Sequence, residues 1–502
     1  MEVGAKSDKI IKFATLKKQS NPMLFNSFDF AVFLPLVYLL YWLMFQKNPG
    51  IRNLFLLTVS YVFYGFWDWR FLSLILISSL MDFYLALKIA NTSADLHKKR
   101  KSLLILSFVL NLGFLGFFKY YNFFVESFIA SFALFGKEFT YSPLSIILPV
   151  GISFYTFQSL SYTLDVYYKK MEPTRKLVNF LAFVSFFPQL VAGPIERARK
   201  LLPQFDELKQ FDYQAARSGL LLLLFGLFKK IVIADRLAVY INQTYGSIED
   251  AKGIALLLGV IFFAFQLYLD FSAYSDIAIG TARMFGFKLT TNFRRPYLST
   301  SFSGFWKRWH ITLSSWFQDY IYIPLGGNRL GNKRRIINLL IVFFLSGLWH
   351  GASWNFVIWG LINGLFLVVL DPLFRLEKPA GMFKTIMSSL LVFAGWTLSL
   401  VFFRAPTFTD ALHVFSQLGF AHSDALYNFG LNSRELYFAL FMVLGIMLYE
   451  VLGEKYGERI LEHFYTSSVV VRWGFYLIMT LSIIYLGSYG AANDNSFIYF
   501  QF

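Results

Sequence analysis

The sequence lacks cysteine and is poor in charge. None of its 502 residues is a cysteine, so disulfides, thiolate catalysis and thiolate metal sites are excluded. Asp, Glu, Lys and Arg make up only 15% of the chain, against roughly 25% in an average soluble domain. This composition excludes intrinsic disorder, coiled coils and a soluble nucleic-acid-binding protein.

Apolar and aromatic side chains are present in excess. Hydrophobic residues reach 56% and Phe, Tyr and Trp together 20%, and the mean hydropathy is +0.52. A water-soluble fold cannot bury that much apolar surface. We therefore predict an all-α polytopic membrane protein. The net charge of +16 fits this class, because Lys and Arg collect in cytoplasmic loops. The basic clusters at residues 97–101 and 329–335 are expected to be such loops.

Three regions are expected along the chain. Residues 1–22 form a polar, basic N-terminal extension without the apolar run of a signal peptide. The sequence leaves open whether they belong to the native protein, which could start at Met23. Residues 23–490 form one transmembrane domain with roughly 12 crossings, one of them predicted at 143–167. Residues 491–502 form a C-terminal tail.

Residues 292–335 differ from the rest of the transmembrane domain. They combine charges with Trp and Tyr, as in the sequence FWKRWH at 305–310. A lipid-facing helix would not tolerate this mixture, and irregular backbone at membrane depth requires burial in protein or a water-lined cavity. We predict a re-entrant or interfacial segment that lines a cavity. The alternative is a cytoplasmic loop with an aromatic belt.

Two of the six histidines are candidate functional residues. His350 ends an apolar run, where an ionisable group is expensive and indicates catalysis or transport. The alternative is a core histidine bonded to a carbonyl. His310 follows Lys307 and Arg308, whose charges favour a neutral, proton-accepting imidazole and attract an anionic donor. A structural histidine in a basic turn remains open. The remaining histidines are expected at the solvated surface: His97, His413, His422 and His463.

Two further spacings bear on packing and chemistry. Gly347 and Gly351, and again Gly360 and Gly364, have the i, i+4 spacing that allows close helix approach in membranes. Asp270 and Asp276, in contrast, lie about 240° apart on a helix. That separation argues against a paired-carboxylate site. Either aspartate alone could serve a proton-coupled transporter or a buried structural bond.

Several motifs carry a family resemblance. They are SGLWHGASWN at 346–355, the segment from Arg295 to Gly327, PVGISF at 149–154, FPQLVAGPI at 187–195 and FSAYSD at 271–276. From Met23 onward the chain resembles the membrane-bound O-acyltransferases, in particular their bacterial branch of alginate O-acetylation and D-alanyl transfer proteins. The resemblance implies a ring of tilted helices with re-entrant segments around a central tunnel. It also implies that His350 is the catalytic histidine and His310 the second histidine, on the cytoplasmic side.

The resemblance further implies acyl transfer from a cytoplasmic thioester, with acetyl-CoA as the expected donor substrate and no bound cofactor. No metal is expected, because thiolate ligands are absent and the histidines are scattered along the chain. His350 would deprotonate the attacking hydroxyl or stabilise its alkoxide. The expected product is O-acetylation of an exported polysaccharide, completed by an extracytoplasmic serine-esterase-type partner at the bacterial inner membrane. D-alanine or a longer acyl chain is the alternative cargo. A transporter would show internal symmetry between halves, and none is visible.

The C-terminal sequence FIYFQF at 497–502 has a Phe-x-Tyr-x-x-Phe pattern. It resembles the tail of the small single-pass partner of the D-alanyl system, which implies that Tyr499 is an acyl relay. The alternative is a residue of the aromatic belt that anchors the tail at the interface.

Overall fold

The computed structural model describes residues 23–133, 135–137, 139–374, 381–419, 429–489 and 497–498. Within these ranges the chain is helical, and the one β-type pairing is an isolated bridge between Gly253 and Leu418. The predicted all-α class is confirmed. The N-terminal extension and most of the C-terminal tail, including Tyr499, lie outside the described residues.

The first half of the described chain contains eleven α-helices, several of them short. They are α1 (Phe28–Leu40), α2 (Pro49–Asp68), α3 (Leu72–Asn91), α4 (His97–Leu115), α5 (Tyr121–Ala133), α6 (Ile152–Tyr167), α7 (Leu177–Ser185), α8 (Phe187–Leu190), α9 (Ala198–Leu201), α10 (Tyr213–Phe228) and α11 (Asp235–Gly246).

The second half contains ten more in the described ranges. They are α12 (Gly253–Met284), α13 (Phe302–Trp306), α14 (Ile311–Phe317), α15 (Gly331–His350), α16 (Trp354–Leu365), α17 (Asp371–Phe374), α18 (Met382–Arg404), α19 (Phe408–Gln417), α20 (Ser433–Thr466) and α21 (Val469–Leu486).

Helix α12 lies at the centre of the protein, and α21 lies at its periphery. Nearly every side chain of α12 is buried, including those on opposite faces, as expected for a helix that is apolar all round. In α21 only Ile483 is buried, although the helix is equally apolar. Exposed apolar helices of this length require lipid as their surroundings.

Eight helical stretches of the described chain are long and apolar enough to cross a membrane. The protein is therefore a multi-pass membrane protein. The number falls short of the roughly 12 crossings predicted, partly because two stretches, Pro49–Asn91 and His97–Phe132, each contain two α-helices.

Two sequence predictions about helix boundaries are wrong. The basic residues 97–101 form the first turn of α4 rather than a loop, and Lys333 likewise lies in the first turn of α15. The span predicted at 143–167 is helical only from Ile152. Pro149 lacks a backbone donor, and Gly151 adopts a φ of 73°, so the chain before α6 cannot continue as a helix.

Five π-helical turns interrupt or extend the helices of the described chain. Single π-helical turns are rare and often occur at functional sites. They comprise Tyr41–Phe45, Gly116–Tyr120, Lys229–Ala234, Gln318–Tyr322 and Phe366–Leu370.

Asp270 and Asp276 have separate partners, as their spacing predicted. Asp270 pairs with Lys230 at 2.8 Å, and Asp276 pairs with Lys229 at 2.7 Å. Lys230 also contacts Asp235 at 2.7 Å. Because each carboxylate is paired with a lysine, they form no two-carboxylate site.

Helices α15 and α16 approach closely through glycine, which confirms the predicted small-residue contact. A Cβ on Gly347 would lie 2.4 Å from the Phe356 carbonyl oxygen. A Cβ on Gly360 would lie 2.3 Å from the Phe343 carbonyl oxygen. Both distances are below van der Waals contact, so α15 and α16 can approach this closely only because Gly347 and Gly360 have no side chain.

The Gly360→Ala variant should therefore be destabilised by about 1–3 kcal/mol, the usual cost of overpacking. The measurement is the midpoint of thermal unfolding of purified protein in detergent. Gly445→Ala is the matched control, because no atom lies within 4 Å of its added Cβ; its midpoint should be unchanged or higher. Equal midpoints for both variants would contradict the tight packing of α15 on α16.

Candidate active site

His350 lies at the last position of α15 in an aromatic enclosure. The helix ends here because Gly351 is extended, and Ser353 then caps the first turn of α16. The imidazole is 3% exposed. Its centroid lies 4.8 Å from that of Trp359 and 5.4 Å from that of Phe403. This environment removes water from the imidazole, which strengthens any electrostatic interaction made there.

Side chains from another helix bind the carbonyls at the end of α15. The last four carbonyls of a helix have no partner within it. Here Tyr120 Oη donates to the Leu348 carbonyl at 2.7 Å. Lys119 Nζ donates to the carbonyls of Trp349 at 2.8 Å and His350 at 3.2 Å. The π-helical turn Gly116–Tyr120 thus caps the helix that carries His350.

His310 is held in a left-handed backbone conformation at the start of α14, with a φ of 42°. Such a conformation costs about 1–3 kcal/mol for a residue other than glycine. Asn292 compensates from the preceding segment: its carbonyl oxygen accepts the Ile311 N–H at 2.9 Å. Its side-chain Oδ1 accepts both the N–H and the hydroxyl of Thr312, at 3.2 and 2.9 Å.

The same Asn292 Oδ1 determines which ring nitrogen of His310 carries the proton. It lies 3.2 Å from His310 Nδ1. Since Oδ1 already acts as an acceptor toward Thr312, Nδ1 carries the proton and donates it. The neutral Nε2 atom is then an acceptor, and it is buried with no hydrogen-bond partner among the described residues. His310 is therefore arranged to accept a proton or a hydrogen bond.

One indole ring joins the two histidines. The Trp349 ring centroid lies 5.0 Å from that of His350 and 5.7 Å from that of His310. Phe154 packs against the same indole at 5.3 Å. The structure thus brings the two sequence-predicted histidines into one aromatic cluster, although 40 residues separate them along the chain.

A small cavity of about 70 Å³ borders His350 directly. It lies between the end of α15, the start of α6 and Lys119, and Gly151, Phe154 and Val191 complete its wall. Its volume is enough for a few waters or a small substituent.

A second cavity, of about 490 Å³, follows α15 on the side of the irregular segment. Its α15 wall runs from Arg335 to Ser346, and the opposite wall includes Trp306, Lys307 and Gln318. Ser346 precedes His350 by one helical turn. The segment 292–335 therefore lines a cavity, as predicted.

The cations near His310 have different partners. Arg308 and Arg295 both bind Glu454 of α20, at 2.9 and 3.0 Å. Their charges attach the His310 segment to α20, and the attraction of an anionic donor by Arg308 stays a prediction. Lys307 is the cation of this cluster that borders the larger cavity.

The other predicted residues lie away from this cluster or outside the described residues. His97 and His463 are exposed, and His413 lies half-buried in α19. His422 and Tyr499 are not among the described residues. Within the described part of the chain, no group of three His, Asp or Glu side chains could hold a metal ion.

The start of the tail motif packs near His310. Phe497 is fully buried, and its ring centroid lies 5.3 Å from that of Phe271 and 4.4 Å from that of Tyr274. Phe271 meets the His310 ring edge-on at 4.6 Å. The Ile498 N–H donates to Asp270 Oδ2 at 2.8 Å. Residues 497–498 are therefore attached to α12 beside the histidine cluster.

Sequence reasoning missed Lys119 and Asn292. Lys119 carried a usable signal, because it is a lysine inside the apolar run from Ser102 to Phe132 and ionisable residues at membrane depth indicate function. Asn292 carried none, since its importance comes from the conformation of His310.

The chain matches one protein family over most of its length. The family model for MBOAT, the membrane-bound O-acyltransferase family, matches residues 70–405. The chain is 39% identical over 447 residues to the "Probable alginate O-acetylase AlgI" of Azotobacter vinelandii, covering 87% of this chain and 85% of that protein. It is 37% identical over 423 residues to the "Peptidoglycan O-acetyltransferase" of Helicobacter pylori, covering 78% and 79%.

A more distant match is the "Teichoic acid D-alanyltransferase" of Streptococcus thermophilus, 28% identical over 305 residues, covering 50% of this chain and 69% of that protein. The segment matched by the family model contains both histidines of the cluster, together with Lys119 and Asn292.

Asn292→Ala should lower catalytic turnover roughly 10- to 100-fold, the effect typical of losing a residue that orients a functional histidine. The reason is that His310 Nδ1 loses its acceptor. Turnover is measured in membranes with equal amounts of folded protein. Asn363→Ala is the control, because this buried amide binds the Trp359 carbonyl and Ser399 away from His310. Equal turnover in the two variants would refute the orienting role of Asn292.

Proposed function

We propose that this chain, which belongs to the membrane-bound O-acyltransferase family, moves an acetyl group from cytoplasmic acetyl-CoA across the membrane. The acetyl group serves the O-acetylation of an exported cell-surface polysaccharide. Relatives named alginate O-acetylase and peptidoglycan O-acetyltransferase support this cargo and this class of acceptor. The observation that carries the proposal is the position of His350, which borders one cavity and lies one turn beyond the end of a second.

We infer the orientation in the membrane from α4 and α15. Helices α4 and α15 both begin with basic residues, and their distal ends meet where Lys119 and Tyr120 bind the end of α15. Basic ends face the cytoplasm. At 1.5 Å per residue, His350 lies about 28 Å along α15 from its start, close to the full thickness of the hydrocarbon core. The inner membrane of a bacterium is the proposed location.

Donor and acceptor then approach from opposite sides. The larger cavity is lined by Lys307 and by Arg335 near the start of α15, and these cations suit the phosphates of a coenzyme A thioester. Its distal end reaches Ser346, near His350. The smaller cavity on the far side admits the acceptor. His310, with its acceptor atom Nε2, is proposed to orient the donor.

The reaction is an acyl exchange between sulfur and oxygen. His350 takes the proton from the acceptor hydroxyl as its oxygen bonds to the acetyl carbonyl carbon. The tetrahedral intermediate collapses, the carbon–sulfur bond breaks, and the imidazolium returns the proton to the leaving thiolate. The products are an acetyl ester and free coenzyme A. General-base assistance of this kind contributes typically 10²–10⁴ in rate.

Tyr499 is proposed as the first acceptor. Its phenol would become an acetyl ester, and phenoxide is a better leaving group than an alkoxide because phenols are more acidic. An extracytoplasmic serine-esterase-type partner would then take the acetyl group and pass it to the polysaccharide. The burial of the neighbouring residues Phe497 and Ile498 beside the histidine cluster supports this role.

The second candidate cargo is D-alanine. The relative named teichoic acid D-alanyltransferase supports it, although this relative is less similar and covers less of the chain than the acetyl-transferring relatives. The neighbouring enzymes in the cell would differ, since D-alanine requires a carrier-protein ligase.

His350→Ala should abolish surface O-acetylation, a fall of at least 10²-fold if it is the general base. The measurement is ester content of the exported polysaccharide at matched amounts of membrane-inserted protein. His310→Ala should impair transfer more than stability. His463→Ala, on the exposed part of α20, is the control and should behave as wild type. Retained acetylation in His350→Ala would remove the assigned role.

Tyr499→Phe keeps the ring and deletes only the hydroxyl, so it separates an acyl relay from an aromatic anchor. We expect loss of surface acetylation together with loss of the labelled adduct. The adduct is sought by mass spectrometry of the C-terminal peptide after feeding labelled acetate. Normal acetylation in Tyr499→Phe would assign the residue to anchoring alone.

A further inference from the structure

Lys119 is a cation at a depth where charge is costly. It lies in the helical stretch His97–Phe132, which is long and apolar enough to span the membrane, and it follows two phenylalanines. A lysine in such a position is rare and is kept in place by a partner or a function. Its ammonium has three N–H donors, and two of them bind the carbonyls of Trp349 and His350.

Those two carbonyls form the negative end of the α15 dipole. A helix carries roughly half a negative charge at its C-terminus, and a cation placed there is stabilising. Any donor could bind the carbonyls, however, and Tyr120 binds the preceding one, that of Leu348, without a charge. The presence of an ammonium rather than a second neutral donor is what needs an explanation.

The explanation lies in the cavity that Lys119 shares with His350. No carboxylate of the described residues lines this cavity. The ammonium binds two backbone carbonyls and lies over the Tyr120 ring, 6.0 Å from its centroid. In a low dielectric such a charge interacts strongly with any electron-rich oxygen that enters. The acyl exchange at His350 forms such an oxygen when the carbonyl becomes tetrahedral.

We propose that Lys119 positions His350 and also places its positive charge beside the reacting carbonyl oxygen, so that the charge, and not only its hydrogen bonds, is needed for acyl transfer. It fixes the end of α15 through two carbonyls and leaves one N–H to the cavity where the carbonyl oxygen gains charge. This inference rests on the proposed function, because it assumes that acyl transfer occurs at His350.

Three substitutions at this position separate charge from hydrogen bonding. Lys119→Arg keeps the charge and the donors, Lys119→Gln keeps a neutral donor, and Lys119→Met keeps only the apolar stem. We expect kcat to fall at least tenfold in the Gln and Met variants with KM within about threefold of wild type, and to recover within about threefold in the Arg variant. Tyr120→Phe removes a neutral cap of the same helix end and should lower kcat clearly less than Lys119→Gln does.

The matched control is Arg236→Gln. Arg236 binds the Leu486 carbonyl at the end of α21, at 2.7 Å, so it makes the same kind of cap on a helix without a site. It should lose thermal stability but keep kcat. If Lys119→Met does not accumulate, kcat is compared among Lys119→Gln, Lys119→Arg and Tyr120→Phe at matched thermal stability. That comparison alone shows whether the charge of Lys119 is needed.

The outcomes distinguish a need for the charge of Lys119 from a purely structural role as a helix cap. Recovery by Arg and not by Gln supports the proposal. Equal activity of Gln and Arg, wild-type kcat in Met, or an equal loss in Tyr120→Phe would overturn it and leave Lys119 as a helix cap. His350→Ala is assayed in parallel. Activity in that variant would refute the proposed function itself, whereas an inactive His350→Ala with an active Lys119→Met refutes only this inference.

Discussion

Buried backbone without water must find every hydrogen bond within the protein, and this requirement is most demanding at the end of α15. The helix stops inside an aromatic enclosure, which leaves the carbonyls of Leu348, Trp349 and His350 to be satisfied by other segments. Lys119 and Tyr120 supply the donors. The position of His350 therefore depends on a π-helical turn more than two hundred residues earlier in the chain.

The rest of the site follows from the same shortage of water. Trp349, which is next to the capped carbonyls, packs against two histidines that differ in how they are held. His310 is fixed by Asn292 through its backbone and its ring. His350 is fixed by the helix that carries it. One indole therefore connects two imidazoles that are positioned by different parts of the chain.

Composition and pattern were sufficient for the class of the protein, for selecting two histidines that the structure brings into one cluster, and for the cavity-lining nature of 292–335. Each of these depends on residue types that are expensive in lipid, so their mere presence is informative. The glycine spacing in α15 and α16 also predicted their close contact. Contacts between distant segments could not be predicted from the sequence, such as the hydrogen bonds of Lys119 to α15 and the ion pair of Arg308 with Glu454.

Predictions of helix boundaries were wrong where single residues change the backbone conformation. Pro149 and Gly151 interrupt an apolar run that is long enough for a full span, so the helix begins only at Ile152. The basic residues at the start of α4 looked like a loop because charge pattern reports the side of the membrane and not the conformation. The left-handed backbone at His310 is likewise a property of the folded environment, since a positive φ is uncommon for any residue other than glycine.

The hydrogen bond from the Ile498 N–H to Asp270 joins residue 498 to the middle of the central helix. Asp270, which also pairs with Lys230 through its other oxygen, precedes Ile498 by 228 residues. This contact between residue 498 and the central helix therefore cannot form before α21 has been synthesised.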